Sequence, residues 1–191
     1  RRKPANRVLV LSGTGSCCFG QTADGATAKL GGWGHILGDK GSGFEIGLRA
    51  LKACVFYLDR DGTWSALGQR LLRRLQLNSP EQLIDWVAQA EKAEVAGLAK
   101  EVFAACAKRD KIASDILKGA AETLAKDACA CAEKLAGKTA PVRFLLSGSV
   151  LLKQPKFAAR VAKAIRSRRP GSQIAALKNE SCTGALHLAS R

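Results

Sequence analysis

No methionine occurs at any of the 191 positions of this chain, position 1 included. A translation product starts with methionine, so the chain is expected to be part of a longer protein. No run approaches the eighteen or so apolar residues of a membrane span. The lead-in Arg1-Arg2-Lys3-Pro4 carries no apolar stretch of signal-peptide type before Val8-Leu9-Val10-Leu11. Neither a membrane partner nor secretion is therefore expected, and the cytoplasm is the expected compartment. There is no Cys-x-x-Cys, and aromatic residues make up only 5% of the chain, too few to build stacking platforms for bases.

Hydrophobic residues, by contrast, reach 47% and charged residues 25%, the balance of a globular chain. At this length about 70% of the unfolded surface can be buried. The seven cysteines, at 17, 18, 54, 106, 129, 131 and 182, sit mostly in apolar or Ala-rich segments and read as reduced, small core residues. Cys129 and Cys131 on a helix would point about 200° apart, a poor chelate, so no metal site is expected. The net charge of +15 raises a nucleic-acid reading. Its cations are nonetheless spread along the chain in small groups, Arg1-Arg2-Lys3, Arg70/Arg73/Arg74 and Arg166/Arg168/Arg169, which suit solvated helix faces that attract small anions.

The periodicity predicts a buried strand over 7–12, a hairpin partner over 17–22 and a turn at Ala23-Asp24-Gly25. Ser42, with Glu45 three residues on, predicts a helix start. From Trp64 to Lys138 the pattern is helix upon helix: 64–75, a start at Ser79-Pro80-Glu81, then 95–108 and 111–137. A strand ending in Ser147-Gly148, a basic helix over 155–167, a strand over 173–177 and a closing helix over 184–190 follow. No internal repeat or low-complexity linker interrupts the chain. The fold class expected is α/β, one unit over 1–191 with a helical insertion at about 64–138.

Two motifs carry the chemistry. Leu11-Ser12-Gly13-Thr14-Gly15-Ser16 leaves an apolar strand as a glycine-hydroxyl turn, which directs backbone N–H groups and hydroxyls into one small space, as a phosphate requires. By itself it also reads as an ordinary hairpin turn. A second strand-Ser-Gly turn, Ser147-Gly148-Ser149, adds context, since α/β sheets bind ligands beyond the carboxyl ends of their strands. The other motif is Gly31-Gly32-Trp33-Gly34-His35-Ile36-Leu37-Gly38-Asp39. Its glycines leave the backbone open to close approach, and Asp39 offers a carboxylate to sugar hydroxyls. The plainer readings are a core Trp33, a satisfied turn His35, and Asp39 as cap of the helix at Ser42.

Taken together, Leu11–Ser16 and Gly31–Asp39, followed by Gly41-Ser42, resemble the second half of the N-acetylglucosamine kinase family. That family lies among BadF/BadG-type ATPases in the sugar kinase and actin superfamily. The resemblance continues through Ala96-Gly97, Ser147-Gly148-Ser149-Val150 and Gly184-Ala185-Leu186. It implies a ribonuclease-H-like, actin-like ATPase domain forming the C-terminal lobe of a two-lobed enzyme. It makes Gly13, Thr14 and Gly15 a phosphate loop for ATP, with Ala96, Gly148 and Ser149 lining the adenosine pocket. Ser16 and Cys17 become neighbours of the sugar, and Gly32, Trp33, Gly34 and Asp39 its holders. Where the family usually reads Gly-Asp-Glu-Gly-Ser, this chain has Lys40 for the glutamate.

The activity implied is phosphorylation of N-acetylglucosamine or glucosamine at the 6-hydroxyl by Mg²⁺-ATP. Its partners would be the amino sugar, an N-terminal lobe that carries the catalytic base, and a second copy if the enzyme is a homodimer. No catalytic base or metal ligand is expected within 1–191, and the chain alone is expected to bind weakly and turn over negligibly. Two further classes stay open: an iron–sulfur ATPase that activates an acyl-CoA reductase or dehydratase, and a basic nucleic-acid-binding module.

Overall fold

A computed structural model describes residues 6–177 of the chain. The expected helix over 184–190, Cys182, Gly184-Ala185-Leu186 and the basic group at 1–3 lie outside the described residues. Five strands form one sheet in the order β3-β2-β1-β4-β5. β1 (Asn6–Ser12), β2 (Ser16–Gln21) and β3 (Thr27–Gly31) form an antiparallel meander, while β4 (Val142–Ser147) and β5 (Gln173–Ala176) run parallel to β1. The sheet and the helices on it make a ribonuclease-H-like domain of the actin-like ATPase class.

Register explains which residues enter the core. Val8 pairs with Gly20 and Phe144, and Val10 with Cys18 and Leu146, so these side chains share one face of the sheet. All of them are buried. Along that face lies α7 (Lys111–Ala136), capped by Asp110, whose carboxylate accepts the Ala113 N–H at 2.9 Å, and ended at Gly137. Its buried stripe, Ala113, Ile116, Leu117, Ala120, Ala121, Leu124, Ala125, Ala128, Cys131 and Ala132, follows helical periodicity and is rich in alanine. Small residues let neighbouring backbones come close. A Cβ on Gly41 would stand 2.8 Å from the Ala120 carbonyl oxygen, and Gly41 also has a positive φ of 74°.

Between β3 and α7 the chain makes a helical turn, α1 (Gly34–Leu37), and the long α2 (Gly43–Asp61). α3 (Ala66–Leu75), a 3₁₀ turn at Pro80–Gln82, α4 (Leu83–Gln89), α5 (Lys92–Gly97) and α6 (Ala99–Ala107) follow. α8 (Ser149–Lys153) and α9 (Pro155–Arg168) connect β4 to β5, and α9 packs on α7. One hydrophobic cluster unites the sheet with α2, α3, α6, α7 and α9. The cysteines at 129 and 131 diverge on α7, one thiol toward the Ile165 carbonyl of α9 and the other toward the Ala28 carbonyl of β3.

Several boundaries differ from expectation. The helix expected over 95–108 begins at Lys92, because the Glu91 and Glu94 side chains form a capping box three residues earlier, and it is divided at Leu98. β3 and the short α1 and α8 have no counterpart in the sequence reading. No helix among the described residues is long and apolar enough to cross a membrane.

α5 meets α2 where Gly47 leaves no room for a side chain: a Cβ there would lie 2.1 Å from the Val95 carbonyl oxygen. Gly47→Ala is expected to lower Tm by about 4 °C or more, the scale of a 1–3 kcal/mol overpacking cost in a domain of this size. Gly97→Ala, whose Cβ would meet nothing within 4 Å, serves as the control and should leave Tm unchanged or slightly raised. Differential scanning calorimetry of the pair checks both.

Candidate functional site

β1 and β4 are parallel neighbours, so their carboxyl ends open side by side, with Leu11 opposite Ser147. β1 runs into the turn Gly13-Thr14-Gly15, and β4 into Gly148-Ser149. The turn closes on itself through the Gly13 N–H, which donates to the Gly15 carbonyl at 2.9 Å. The two loops touch, since a Cβ on Gly13 would be 3.7 Å from Ser149 Oγ. Gly148 has φ 90°, and a Cβ on it would lie 2.3 Å from the Ser12 carbonyl oxygen, so only glycine lets β4 turn away here.

The N-terminus of α2 fastens this pair of loops. Ser42 is the cap, its hydroxyl accepting the Glu45 N–H at 3.1 Å. The next two amides, of Gly43 and Phe44, donate to the carbonyls of Gly13 and Thr14 at 2.8 and 3.2 Å. Helix-start N–H groups have no intrahelical acceptor, and here they hold the turn by its oxygens. The N–H groups of Thr14 and Gly15 make no hydrogen bond among the described residues, and the Thr14 side chain is exposed. Ala96, on α5, closes the back. Its carbonyl oxygen and Cβ would be 3.3 and 3.5 Å from a Cβ on Gly43. Gly13, Thr14, Gly15, Ala96, Gly148 and Ser149, separate in sequence, thus gather around one helix terminus.

Beside them opens a cavity of about 290 Å³, walled in part by Ser16, Cys17, Trp33 and Asp39. Ligand pockets run from ~300 to 1,000 Å³, so this one suits a single small molecule. The loop over 39–41 is stitched to the strand ends by buried serines: Ser12 Oγ donates to the Gly41 carbonyl and Ser16 Oγ to the Lys40 carbonyl, both at 2.8 Å. Glu45 accepts the Gly41 N–H. Gly32 and Gly34, at φ 73° and 81°, shape the turns that carry Trp33 and are not in the cavity wall. Trp33 is 75% exposed, so it is not a core residue, and the His35 ring packs edge-on against Phe44 with centroids 4.8 Å apart.

Asp39 is the most constrained of these residues. Its φ of 57° lies in the left-handed region, which aspartate tolerates better than most side chains. Only 4% of it is exposed. The Ser16 N–H donates to Oδ1 at 2.9 Å, and Lys92 Nζ stands 2.6 Å from Oδ2, off the hydrogen-bonding direction and so an ion contact. The carboxylate does not cap α2, the role Ser42 fills. Gly15 lies close beneath it: a Cβ there would fall 2.8 Å from Oδ1 and would push the carboxylate from its place.

Sequence reasoning passed over Lys92 and also Asp127, which enters the cavity wall from α7 beside Leu124. The signal for Asp127 was an acidic residue at the edge of an otherwise apolar helical stripe. Burial raises its carboxyl above the ordinary range, Lys40 pulls it down and Glu45 pushes it up. Burial likewise raises the Cys17 thiol, with Lys29 opposing, so at neutral pH Cys17 is a small neutral wall and not a nucleophile.

A carboxyl raised by folding stabilises the fold when protonated. That contribution is complete below its unfolded value and disappears as pH climbs through the folded one. Asp127→Asn is accordingly expected to raise Tm by about 1–3 °C at pH 7.5. The gain should vanish near pH 3.5, as read by thermal melts across pH.

A curated N-acetylmuramic acid/N-acetylglucosamine kinase of Clostridium acetobutylicum is 35% identical over 184 residues, which are 95% of this chain and 60% of that protein. An N-acetyl-D-glucosamine kinase of Dictyostelium discoideum is 35% identical over 120 residues, 61% of this chain and 38% of that one. A crystal structure with a provisional N-acetylglucosamine kinase assignment, from Chromobacterium violaceum, superposes with a TM-score of 0.70 at 29% identity, over 97% of this chain and 59% of its own. The chain therefore spans at most about three fifths of the length of these relatives. The BadF/BadG/BcrA/BcrD ATPase family model matches residues 2–189, and the chain belongs to that family.

Proposed function

We propose that this chain is the C-terminal lobe of an ATP-dependent kinase that phosphorylates an amino sugar, N-acetylglucosamine or glucosamine, on its 6-hydroxyl. The observation that carries the reading is the junction of two subsites on one turn. Gly13-Thr14-Gly15 meets the Gly148-Ser149 loop on one side and, through Gly15 and Ser16, the Asp39 cavity on the other. Two relatives at 35% identity are named as kinases of this sugar class, which favours it over an activator of acyl-CoA enzymes. The cations of the surface are spread, and several are spent within the fold, as where Arg168 pairs with Glu122 and Arg169 donates to the Gly137 and Ala140 carbonyls. That distribution suits attraction of a small anion better than a nucleic-acid track.

In this reading the turn of Gly13, Thr14 and Gly15, through the free N–H groups of Thr14 and Gly15 and the Thr14 hydroxyl, receives phosphate oxygens. Ala96, Gly148 and Ser149 line the place where the nucleoside lies close. The sugar occupies the cavity against Ser16, Cys17 and the loop of Gly32, Trp33 and Gly34, with Asp39 accepting hydroxyls at the junction. Phosphoryl transfer needs little covalent help from protein, so the lobe acts by positioning and by donors aimed at the phosphates. Mg²⁺ would neutralise phosphate charge. Mg²⁺ is commonly held by substrate phosphates with one or two carboxylates, and in this reading the phosphates and a facing lobe would hold it. The base toward the sugar hydroxyl would likewise come from the facing lobe.

A coupled ADP-release assay on the intact gene product, run across N-acetylglucosamine, glucosamine and N-acetylmuramic acid, tests the reading. Amino-sugar-dependent ADP formation is expected, and its absence with all three would refute the proposal. Within an active protein, Asp39→Asn should raise the sugar KM or depress kcat by about tenfold or more, the loss expected from one charged ligand contact, with the circular dichroism spectrum unchanged.

A further inference from the structure

Lys92 belongs to neither glycine-bordered loop, yet its ammonium touches the carboxylate on which both converge. It is the first residue of α5, where the positive end of the helix dipole disfavours a cation. Glu91 and Glu94 already cap that helix, so Lys92 does nothing for α5 itself. Its side chain, about a third exposed, reaches instead to Asp39 Oδ2 at 2.6 Å, and it makes the one ion pair Asp39 has among the described residues. The same short helix carries Ala96 against Gly43 at the head of α2.

A closed circuit results. The turn at 13–15 is held by the α2 amides, α2 is packed against α5, α5 sends Lys92 to Asp39, and Asp39 accepts the Ser16 N–H at the end of the same turn. Asp39 at φ 57° sits in a region that is costly for an L side chain, for aspartate less than for most, so its place leans on the contacts around it. We propose that Lys92 is a positioning residue of the kinase site, which fixes and neutralises the buried Asp39 and so links the wall nearest the nucleotide to the wall nearest the sugar. This rests on the sugar-kinase reading for its effect on turnover, though not for its effect on the loop.

The test therefore has two readouts on the intact gene product. The first is amide hydrogen exchange. Lys92→Met should speed exchange at the hydrogen-bonded Gly13 and Ser16 amides at least several-fold while leaving β4 and α7 unchanged, and Lys92→Arg should restore protection. Unchanged exchange in Lys92→Met overturns the proposal whatever the enzyme's substrate. The second is kinetic: Lys92→Met should cut sugar kcat/KM by about tenfold or more, mainly through KM, with Lys92→Arg within a few-fold of wild type. In an Asp39→Asn background Lys92→Met should cost less than about twofold, because the two residues act as one. Independent, multiplying losses would overturn the proposal. A wild-type protein that phosphorylates no amino sugar would sink the sugar-kinase reading and leave the exchange result to decide the role of Lys92.

Discussion

The start of α2 has N–H groups to give away, and the turn after β1 has carbonyls facing them. The two hydrogen bonds from Gly43 and Phe44 to Gly13 and Thr14 join the sheet to its longest connecting segment at one point. Once they form, the turn cannot roll, its remaining amides at Thr14 and Gly15 face outward, and the loop before α2 must lie over the ends of β1 and β2. Ser12 and Ser16 then satisfy the backbone of that loop from below. Each is buried, and each has its hydroxyl spent on a carbonyl, the condition on which a buried polar group is tolerated. The site is thus a consequence of how helix-end and loop polarity is satisfied, and not a cleft added to a finished fold.

That arrangement demands closeness, and the closeness explains the glycines that matter. Gly15 lies under the Asp39 carboxylate, Gly41 on the backbone of α7, and Gly148 against β1. The alanine stripe of α7 serves the same end from the other side, since a bulkier residue than Ala120 or Ala121 would lift the helix from the loop and the sheet. Burial of the helix comes here from proximity and length, with Ile116, Leu117 and Leu124 its large buried side chains and Ile112 and Leu135 packing at the margins.

Local chemistry made much of this legible. Ser42 with Glu45 and Ser79 with Pro80 each announce a helix start through groups within four residues, and Gly137 ends α7 where the pattern ends it, whereas the Asp110 cap goes beyond the expected bounds. The hairpin across 13–15 follows from alternation and glycine in the same way. The pairing of Glu45 with the Gly41 N–H, one residue before the cap, is a small departure within that local logic. What was not legible depends on distance along the chain. β3 is a short edge strand whose residues alternate exposed and half-buried, with Lys29 in its middle, so it lacks an apolar signature until β2 is beside it. Asp127 and Lys92 become part of the site only when α7 and α5 dock, and a lysine opening a helix reads, from sequence, as a solvated charge.

Electrostatics decides why such a distant lysine belongs there. Two like unit charges 4 Å apart repel by about 4 kcal/mol at an effective dielectric of 20, so under the proposed function, with phosphate at the 13–15 turn, a bare carboxylate beside that turn would weaken the ligand. A carboxylate is still needed at the junction if one group is to hold Ser16 in place and also accept a hydroxyl. Setting an ammonium 2.6 Å from Oδ2 reconciles the two demands, leaving a site that is near neutral at Asp39 inside a chain of net charge +15. Under the proposed function the long-range field would attract the anionic nucleotide, while the local pair governs what lies beside it. Across the cavity Lys40 opposes the burial that raises the Asp127 carboxyl, but it does so without cancelling that rise. Under the proposed function, the neutralised Asp39 on the wall nearest the turn suits a neutral polyol better than a strongly charged substrate.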